Sequence, residues 1–173
     1  MSDRTPTLIV FAGLPGSGKS TLSQRLARRL RATYLRIDTV EQALRDLCGL
    51  RVEGEGYRLS YRIAADNLRL GVDVVADSCN PIALTRAEWR EVATGVGADC
   101  VDVEVVCSDP EEHRRRVEGR GATVPGLRLP TWQQVLDREV EPWPEPPIRI
   151  DTAGRTVDAC EAELVGLLAR GEG

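Results

Sequence analysis

Lysine is almost missing from this chain. Of its 23 basic residues, 22 are arginine, and the one lysine is Lys19. Histidine occurs once, at His113, which excludes a metal site built on several imidazoles. Long apolar runs are also missing. None approaches the roughly 20 residues that cross a bilayer. The run in "TLIVFAG" is too short and too early for a secretion signal. No membrane partner and a cytoplasmic setting are therefore expected. The five cysteines (Cys48, Cys79, Cys100, Cys107, Cys160) are odd in number and scattered. That pattern excludes a disulfide framework or a paired zinc spacing and reads as reduced thiols. Basic excess is lacking too: the net charge is −4 and the pI is near 5.2. This excludes a broad basic face for duplex nucleic acid and leaves room for a local basic groove. There are no repeats and no low-complexity tracts, and "EPWPEPP" is a loop rather than a linker. The 173 residues suit one domain over the whole chain, large enough for a full core.

What is present alternates between strand and helix. "TLIVFAG" is continuously apolar, as in a strand buried on both faces. The helix from about Lys19 carries Leu22, Leu26 and Leu30 at four-residue spacing. "TYLRI" is a second short strand that ends at Asp38, and a helix with Val40, Ala43, Leu44 and Leu47 follows. Tyr57–Leu70 reads as a helix with Tyr57, Tyr61, Ala64 and Leu68 on one face, stopped by Gly71. "VDVVAD" is a third strand, ending at Asp77. A helix over about Thr85–Thr94 leads to a fourth strand, "CVDVEVV". "SDPEEHRRRVEGR" starts a helix with Ser108 or Asp109 as cap and Pro110 in the first turn. A Gly- and Pro-rich loop, a short helix in "TWQQVLDREV", a fifth strand "IRIDT" and a closing helix to about Arg170 complete the chain. Repeated βα units predict an α/β fold with a mainly parallel sheet covered on both faces. Ligands of such sheets bind at the C-terminal strand ends, where the candidate chemistry falls.

The first constellation is "GLPGSGKST". It fits G-x-x-x-x-G-K-[ST] through Gly13, Gly18, Lys19 and Ser20, with a strand before it and an amphipathic helix after it. Glycines let the backbone turn its N–H groups onto an anion, and the helix N-terminus adds positive potential. A lysine ammonium is compact enough to reach outer phosphates in that cradle, where a planar guanidinium substitutes poorly. Ser20 can bind Mg²⁺. The pattern points to a nucleoside triphosphate, cradled by Gly13, Pro15, Gly16, Ser17, Gly18, Lys19, Ser20 and Thr21.

The remaining candidates concern where the γ-phosphoryl group goes. A hydroxyl acceptor needs a carboxylate in line with that phosphate. Asp38, after the second strand, suits that role, and the plainer alternative is a helix cap. Arg36 lies two residues earlier and points to the same side, where it can place the acceptor. Asp77 has the setting of a Walker-B carboxylate that holds Mg²⁺. Asn80 can bind substrate or order its loop; for both, an ordinary Asn-Pro turn is the plain reading. Arg116 and Arg120 share a helical face at four-residue spacing, and an anion between them would turn repulsion into attraction. They precede a flexible loop and suit a lid over about residues 110–140; the alternative is a solvated charged face. Trp132, Trp143 and Val135 read as core packing before they read as pocket walls. Arg58, Arg62 and Arg69 read as solvent-facing.

"GLPGSGKST", the strand ending at Asp38, "VVADSCN", "CSDPEEHRRRVEGR" and "IDTAG" together resemble the small P-loop kinases. That group includes chloramphenicol phosphotransferase, zeta toxins, gluconate and adenylylsulfate kinases and polynucleotide 5′-kinases. The resemblance covers nearly the whole chain. It implies a three-layer α/β/α sandwich with a five-stranded parallel sheet of order 2-3-1-4-5, a lid, ATP with Mg²⁺, and phosphoryl transfer to a hydroxyl. It implies that Asp38 is the general base, that Asp77 and Asn80 belong to a "D-A-T-N"-like segment, and that Arg116 and Arg120 are lid arginines. It also implies that Asp151 and Thr152 line the adenine edge. One departure stands out: polynucleotide kinases and zeta toxins tend to carry an arginine three residues after the base, and Glu41 stands here. That weakens a polynucleotide acceptor and suits a neutral or cationic one. The expectation is a kinase acting on a small-molecule hydroxyl. The alternatives are a nucleic-acid 5′-hydroxyl kinase and a nucleotide-dependent ATPase or switch that acts on a protein partner.

Overall fold

The computed structural model describes residues 4–171. Its elements run in chain order as β1 (Thr7–Ala12), α1 (Lys19–Leu30), β2 (Thr33–Arg36), α2 (Ile37–Cys48), α3 (Glu55–Arg69) and β3 (Val74–Asp77). They continue as α4 (Ala83–Gly95), β4 (Asp99–Val106), α5 (Pro110–Gly119), α6 (Trp132–Leu136), β5 (Ile148–Asp151) and α7 (Val157–Gly171). The five strands form one parallel sheet in the order β2-β3-β1-β4-β5. The alternation of buried side chains along β1 explains its two covers. Ile9 and Phe11 face the layer of α1 and α7, with Leu22, Leu26 and Leu164. Leu8 and Val10 face the layer of α3 and α4, with Ala64, Leu68, Trp89 and Ala93. Trp89 is fully buried and meets Tyr61 edge-on, with ring centroids 4.5 Å apart.

Register brings the strand ends together. Asp77 pairs in position with Phe11 of β1 and Arg36 of β2, and Val106 with Asp151. The turn after each strand therefore opens on the same edge of the sheet, as the strand pattern predicts.

Several boundaries differ from the sequence expectation. The second strand stops at Arg36, so Asp38 is the second residue of α2 and neither ends a strand nor caps a helix. Ile37 causes this: it is 3 % exposed and packs into the core as the first helical residue, so the chain turns before Asp38. Leu30 and Leu47 are 40 % and 84 % exposed, because the last turns of α1 and α2 carry no cover. The third helix starts at Glu55, whose carboxylate accepts from the N–H groups of Glu53 and Gly54. Those backbone donors lower its pKa to about 2. Asp109 is the cap of α5, accepting from the N–H groups of Glu111 and Glu112. The short helix stops at Leu136, after a capping box between Thr131 and Gln134.

Candidate active site

The glycine loop is held from several sides. Gly13 has a φ of +147°, and a Cβ there would strike the backbone oxygen of Val105, so only glycine lets β1 run this close to β4. Its N–H donates to the Cys79 carbonyl at 3.1 Å, which ties the loop to the turn after β3. His113 Nε2 lies 2.8 Å from the Pro15 carbonyl, and Thr152 Oγ1 donates to the Ser17 carbonyl at 2.7 Å. The Gly13 and Ser17 N–H groups are taken by the Cys79 and Leu14 carbonyls, and with the Pro15 and Ser17 carbonyls engaged outside the loop its remaining N–H groups are left for an anion. Gly18 is the N-cap of α1, with a φ of 98°.

Lys19 is 7 % exposed, and its Nζ is 3.8 Å from Asp77 Oδ1. Burial opposes its charge, but Cys79, Asp77 and Asp38 outweigh burial and the weaker repulsion of Arg120, so its pKa is raised. The ammonium is therefore charged at neutral pH. Asp77 is 2 % exposed. Its Oδ2 accepts from the Tyr34 hydroxyl at 2.6 Å, and its Oδ1 is buried without a hydrogen-bond partner. Burial and the adjacent Asp77 both raise the Tyr34 pKa, so the phenol stays a donor.

The orphaned Oδ1 and the Ser20 hydroxyl fit Mg²⁺. No group of three or more His, Cys, Asp or Glu is gathered among the described residues. One carboxylate and one hydroxyl suit an ion shared with phosphates rather than caged by protein.

A cavity of about 1170 Å³ opens in front of the loop. Pro15, Gly16, Gly18, Lys19, Ser20 and Thr21 form one end of its wall, and Arg36, Asp38, Arg116 and Arg120 also face it. Asp38 has 41 % of its side chain exposed and lies 4.0 Å from Arg36 Nη2. Arg36 Nη1 donates to Thr123 Oγ1 at 2.8 Å, so the loop after α5 touches the acceptor side.

The two α5 arginines differ. Arg116 donates to Thr152 Oγ1 at 2.7 Å, to the Thr152 carbonyl at 3.0 Å and to Glu112 at 2.5 Å. It is tied to the end of β5. Arg120 has a buried Nε with no hydrogen-bond partner. Burial lowers its pKa and the nearby Arg36 adds to that, while Cys79 and Asp38 act the other way. Arg115 also faces the cavity, whereas Arg114 pairs with Glu118.

Six expected site residues do not line the cavity: Gly13, Ser17, Asp77, Asn80, Asp151 and Thr152. Asn80 is fully buried, with a φ of 48°. Its Oδ1 accepts from Thr85 and its carbonyl accepts from Arg86, so it orders the turn after β3. Asp151 accepts from the N–H groups of Ser108 and Ala153 and joins the ends of β4 and β5. Thr152, 6 % exposed, braces the glycine loop. Glu41 is on the wall, but its carboxylate pairs with Arg45 at 3.3 Å, so it is not free for a cationic ligand.

Some supports were not legible as such. His113 gave no signal beyond being the sole histidine. Tyr34 stands two residues before Arg36, so the same alternation that singled out Arg36 puts it on that side. Arg86, 4 % exposed, donates to the carbonyls of Asn80, Pro81, Glu141 and Pro142. Its guanidinium lies 4.0 Å from the Trp143 ring centroid, which makes that tryptophan structural.

The AAA domain family matches residues 8–138, and the chain belongs to that family. Among curated proteins nothing matches. Solved structures share the fold. A Chloroflexus aurantiacus protein is 24 % identical over 98 % of this chain and 100 % of its own, with a TM-score of 0.73. A gluconokinase from Sinorhizobium meliloti is 21 % identical over 96 % of this chain and 94 % of its own, with a TM-score of 0.67. The Mycobacterium tuberculosis APS kinase CysC, solved with AMPPNP and APS, is 22 % identical over 95 % of this chain and 98 % of its own, with a TM-score of 0.69.

Proposed function

We propose that this protein is a kinase that transfers the γ-phosphoryl group of ATP to a hydroxyl of a small molecule. The observation that carries this reading is the placement of Lys19 and Asp38 on the wall of one cavity. A cation suited to the outer phosphates and a half-exposed carboxylate then address the same space. The loop N–H groups and Lys19 bind the triphosphate. Ser20 and Asp77 would hold Mg²⁺, which supplies charge neutralisation at the outer phosphates. Asp38 orients the acceptor hydroxyl and takes its proton. The acceptor oxygen bonds to the γ-phosphorus as the bond to the β,γ-bridging oxygen breaks, and ADP leaves with that electron pair. Arg120 faces the charge that develops on the transferred group.

The test is transfer of labelled γ-phosphate from Mg-ATP into a fractionated metabolite pool by wild type, Lys19→Ala and Asp38→Asn. A labelled small molecule is expected with wild type. Asp38→Asn should lower its formation by about 10²- to 10⁴-fold. Label found only as inorganic phosphate, with Asp38→Asn as active as wild type, would favour an ATPase or switch acting on a protein partner.

A further inference from the structure

The cavity wall has a charge opposite to that of the chain. Eight of its residues are Lys or Arg and three are Asp or Glu, in a protein of net charge −4. Two of those three carboxylates are already paired, Glu41 with Arg45 and Glu112 with Arg116. The third is Asp38. Arg115, Arg120, Arg128 and Arg138 form no ion pair among the described residues.

The cationic wall extends past the phosphate end. Asp38, Glu41, Gln42 and Arg45 share one face of α2 and all face the cavity. The cavity therefore follows α2 for about two turns, roughly 10 Å beyond Asp38. On this side Arg36 keeps 15 % of its side chain exposed; it donates to Thr123 Oγ1 at 2.8 Å, and its contacts with carboxylates are long, 4.0 Å to Asp38 and 3.9 Å to Asp77. Arg120 lies near enough to feel its charge. Two neighbouring guanidiniums beside the acceptor carboxylate are stabilised by a shared oxyanion, which a planar fork grips with two donors.

We propose that the acceptor is a small hydroxy compound bearing an oxyanion group (carboxylate, phosphate or sulfate), and that Arg36, with Arg120 beside it, binds that group next to Asp38. This rests on the kinase reading above and names its substrate class. It reverses the neutral or cationic acceptor that Glu41 suggests from sequence. A small molecule fits better than a polynucleotide because the loop after α5 meets α2. Thr123 bonds Arg36, and a Cβ at Gly126 would sit 3.0 Å from Gln42 Nε2.

Two experiments test it. The metabolite pool is split on an anion exchanger at neutral pH, and each part is offered to wild-type protein with labelled Mg-ATP. Labelled small product is expected only from the retained part. Product only from the flow-through overturns the anionic acceptor and leaves the kinase reading intact. Label only in 5′-hydroxyl oligonucleotides overturns the small-molecule assignment. Inorganic phosphate as the only labelled product from both parts overturns the kinase reading itself.

The second experiment needs no turnover. With the nucleotide site filled by Mg-AMPPNP, sulfate is titrated against chloride of equal ionic strength, and Tm is read for wild type and Arg36→Gln. A saturable rise in wild type is expected, with a midpoint shifted upward about 10- to 100-fold in the variant. Equal titrations in both proteins, or no rise in wild type, overturn the role of Arg36. Should Arg36→Gln fail to fold, Arg120→Gln carries the same comparison.

Discussion

Replacing Tyr34 by phenylalanine removes a single oxygen atom from the wall behind Lys19. That oxygen donates at 2.6 Å to Asp77 Oδ2, the one hydrogen bond this buried carboxylate accepts among the described residues. Lys19 and Arg36 stand 3.8 and 3.9 Å away, beyond hydrogen-bond reach. The substitution therefore leaves a buried carboxylate with long-range partners only. A hydrogen bond to a charged group contributes about 1.5–3 kcal/mol. For a chain of this length that corresponds to a fall in Tm of about 3–10 °C. The loss also has a functional side. Without the phenol, Asp77 can rotate, and its Oδ1 is no longer held ready for a cation. The Mg²⁺ concentration at half-maximal rate should rise with little change in acceptor KM. The assays are thermal unfolding without ligand and a Mg²⁺ titration of phosphoryl transfer. A Tm within 1 °C of wild type together with an unchanged Mg²⁺ midpoint would refute the reasoning.

Four other outcomes are expected. Gly16→Ala forces a Cβ to 2.6 Å from Val117 Cγ2 at a φ of +82°. It should cost about 1–3 kcal/mol and weaken nucleotide binding, read by calorimetry with AMPPNP. Arg86→Met keeps the aliphatic stem but takes the guanidinium donor from four carbonyls, of which, among the described residues, only that of Pro81 retains another, the Glu141 N–H. A loss of about 3–5 kcal/mol is expected, read from urea unfolding, and a loss below 1 kcal/mol would count against the brace. His113→Ala frees the Pro15 carbonyl and should raise the nucleotide Kd severalfold while Tm falls only modestly. Finally, folding raises the pKa of Tyr57 to about 12, chiefly through burial, and those of Tyr34 and Tyr61 in the same direction. The folded state then binds these protons more tightly. Their contribution is complete below the unfolded tyrosine value of about 10 and is lost as pH rises from there through the folded values. Urea midpoints should fall across that window, and a flat profile would contradict the assignment.

What was legible in the sequence is what is local. The apolar run of β1, the glycines after it and the amphipathic α1 are contiguous, so pattern and motif agree on one arrangement. Asp77 at the end of β3 was legible for the same reason, since a short apolar strand ending in an acid needs no distant partner to be recognised. The braces were not. His113 and Pro15 are 98 residues apart, and Thr152 and Ser17 are 135 apart. Nothing near either position marks the contact. Asp38 was expected at the end of a strand and instead lies in the first turn of α2, on the cavity wall. The β-branched Ile37 and Thr39 extend the strand pattern, whereas burial of Ile37 turns the chain one residue earlier. Asn80, which the sequence left open between binding substrate and ordering its loop, is a second case. An Asn after a strand-end acid looks available to substrate, yet its positive φ and its bond from Thr85 commit it to the turn. Glu41 looked like an acceptor determinant because its partner, Arg45, is one helical turn away and reads as an ordinary surface residue.

The same braces limit what a lid in this protein can be. From sequence, α5 and everything up to about residue 140 read as one movable flap. In the structure, three contacts fix α5 to the nucleotide end of the site. His113 meets the Pro15 carbonyl, Val117 packs where a Gly16 side chain would stand, and Arg116 donates to Thr152. Swinging α5 away would break all three, releasing the Pro15 carbonyl of the glycine loop and untying Thr152, which holds the Ser17 carbonyl. The helix is therefore braced as a strut, and any closure over an acceptor would fall to the residues after Gly119. That segment touches the end of β2 through Thr123 on Arg36, and α2 through Gly126 beside Gln42. Both contacts lie at the acceptor end. Arg120, the first residue beyond the helix, sits at the junction between that strut and the following loop. An anion bound between Arg36 and Arg120 would then do two things at once. It would neutralise the pair, and it would hold the loop after α5 against the Asp38 side of the cavity, so that any closure would be coupled to acceptor binding.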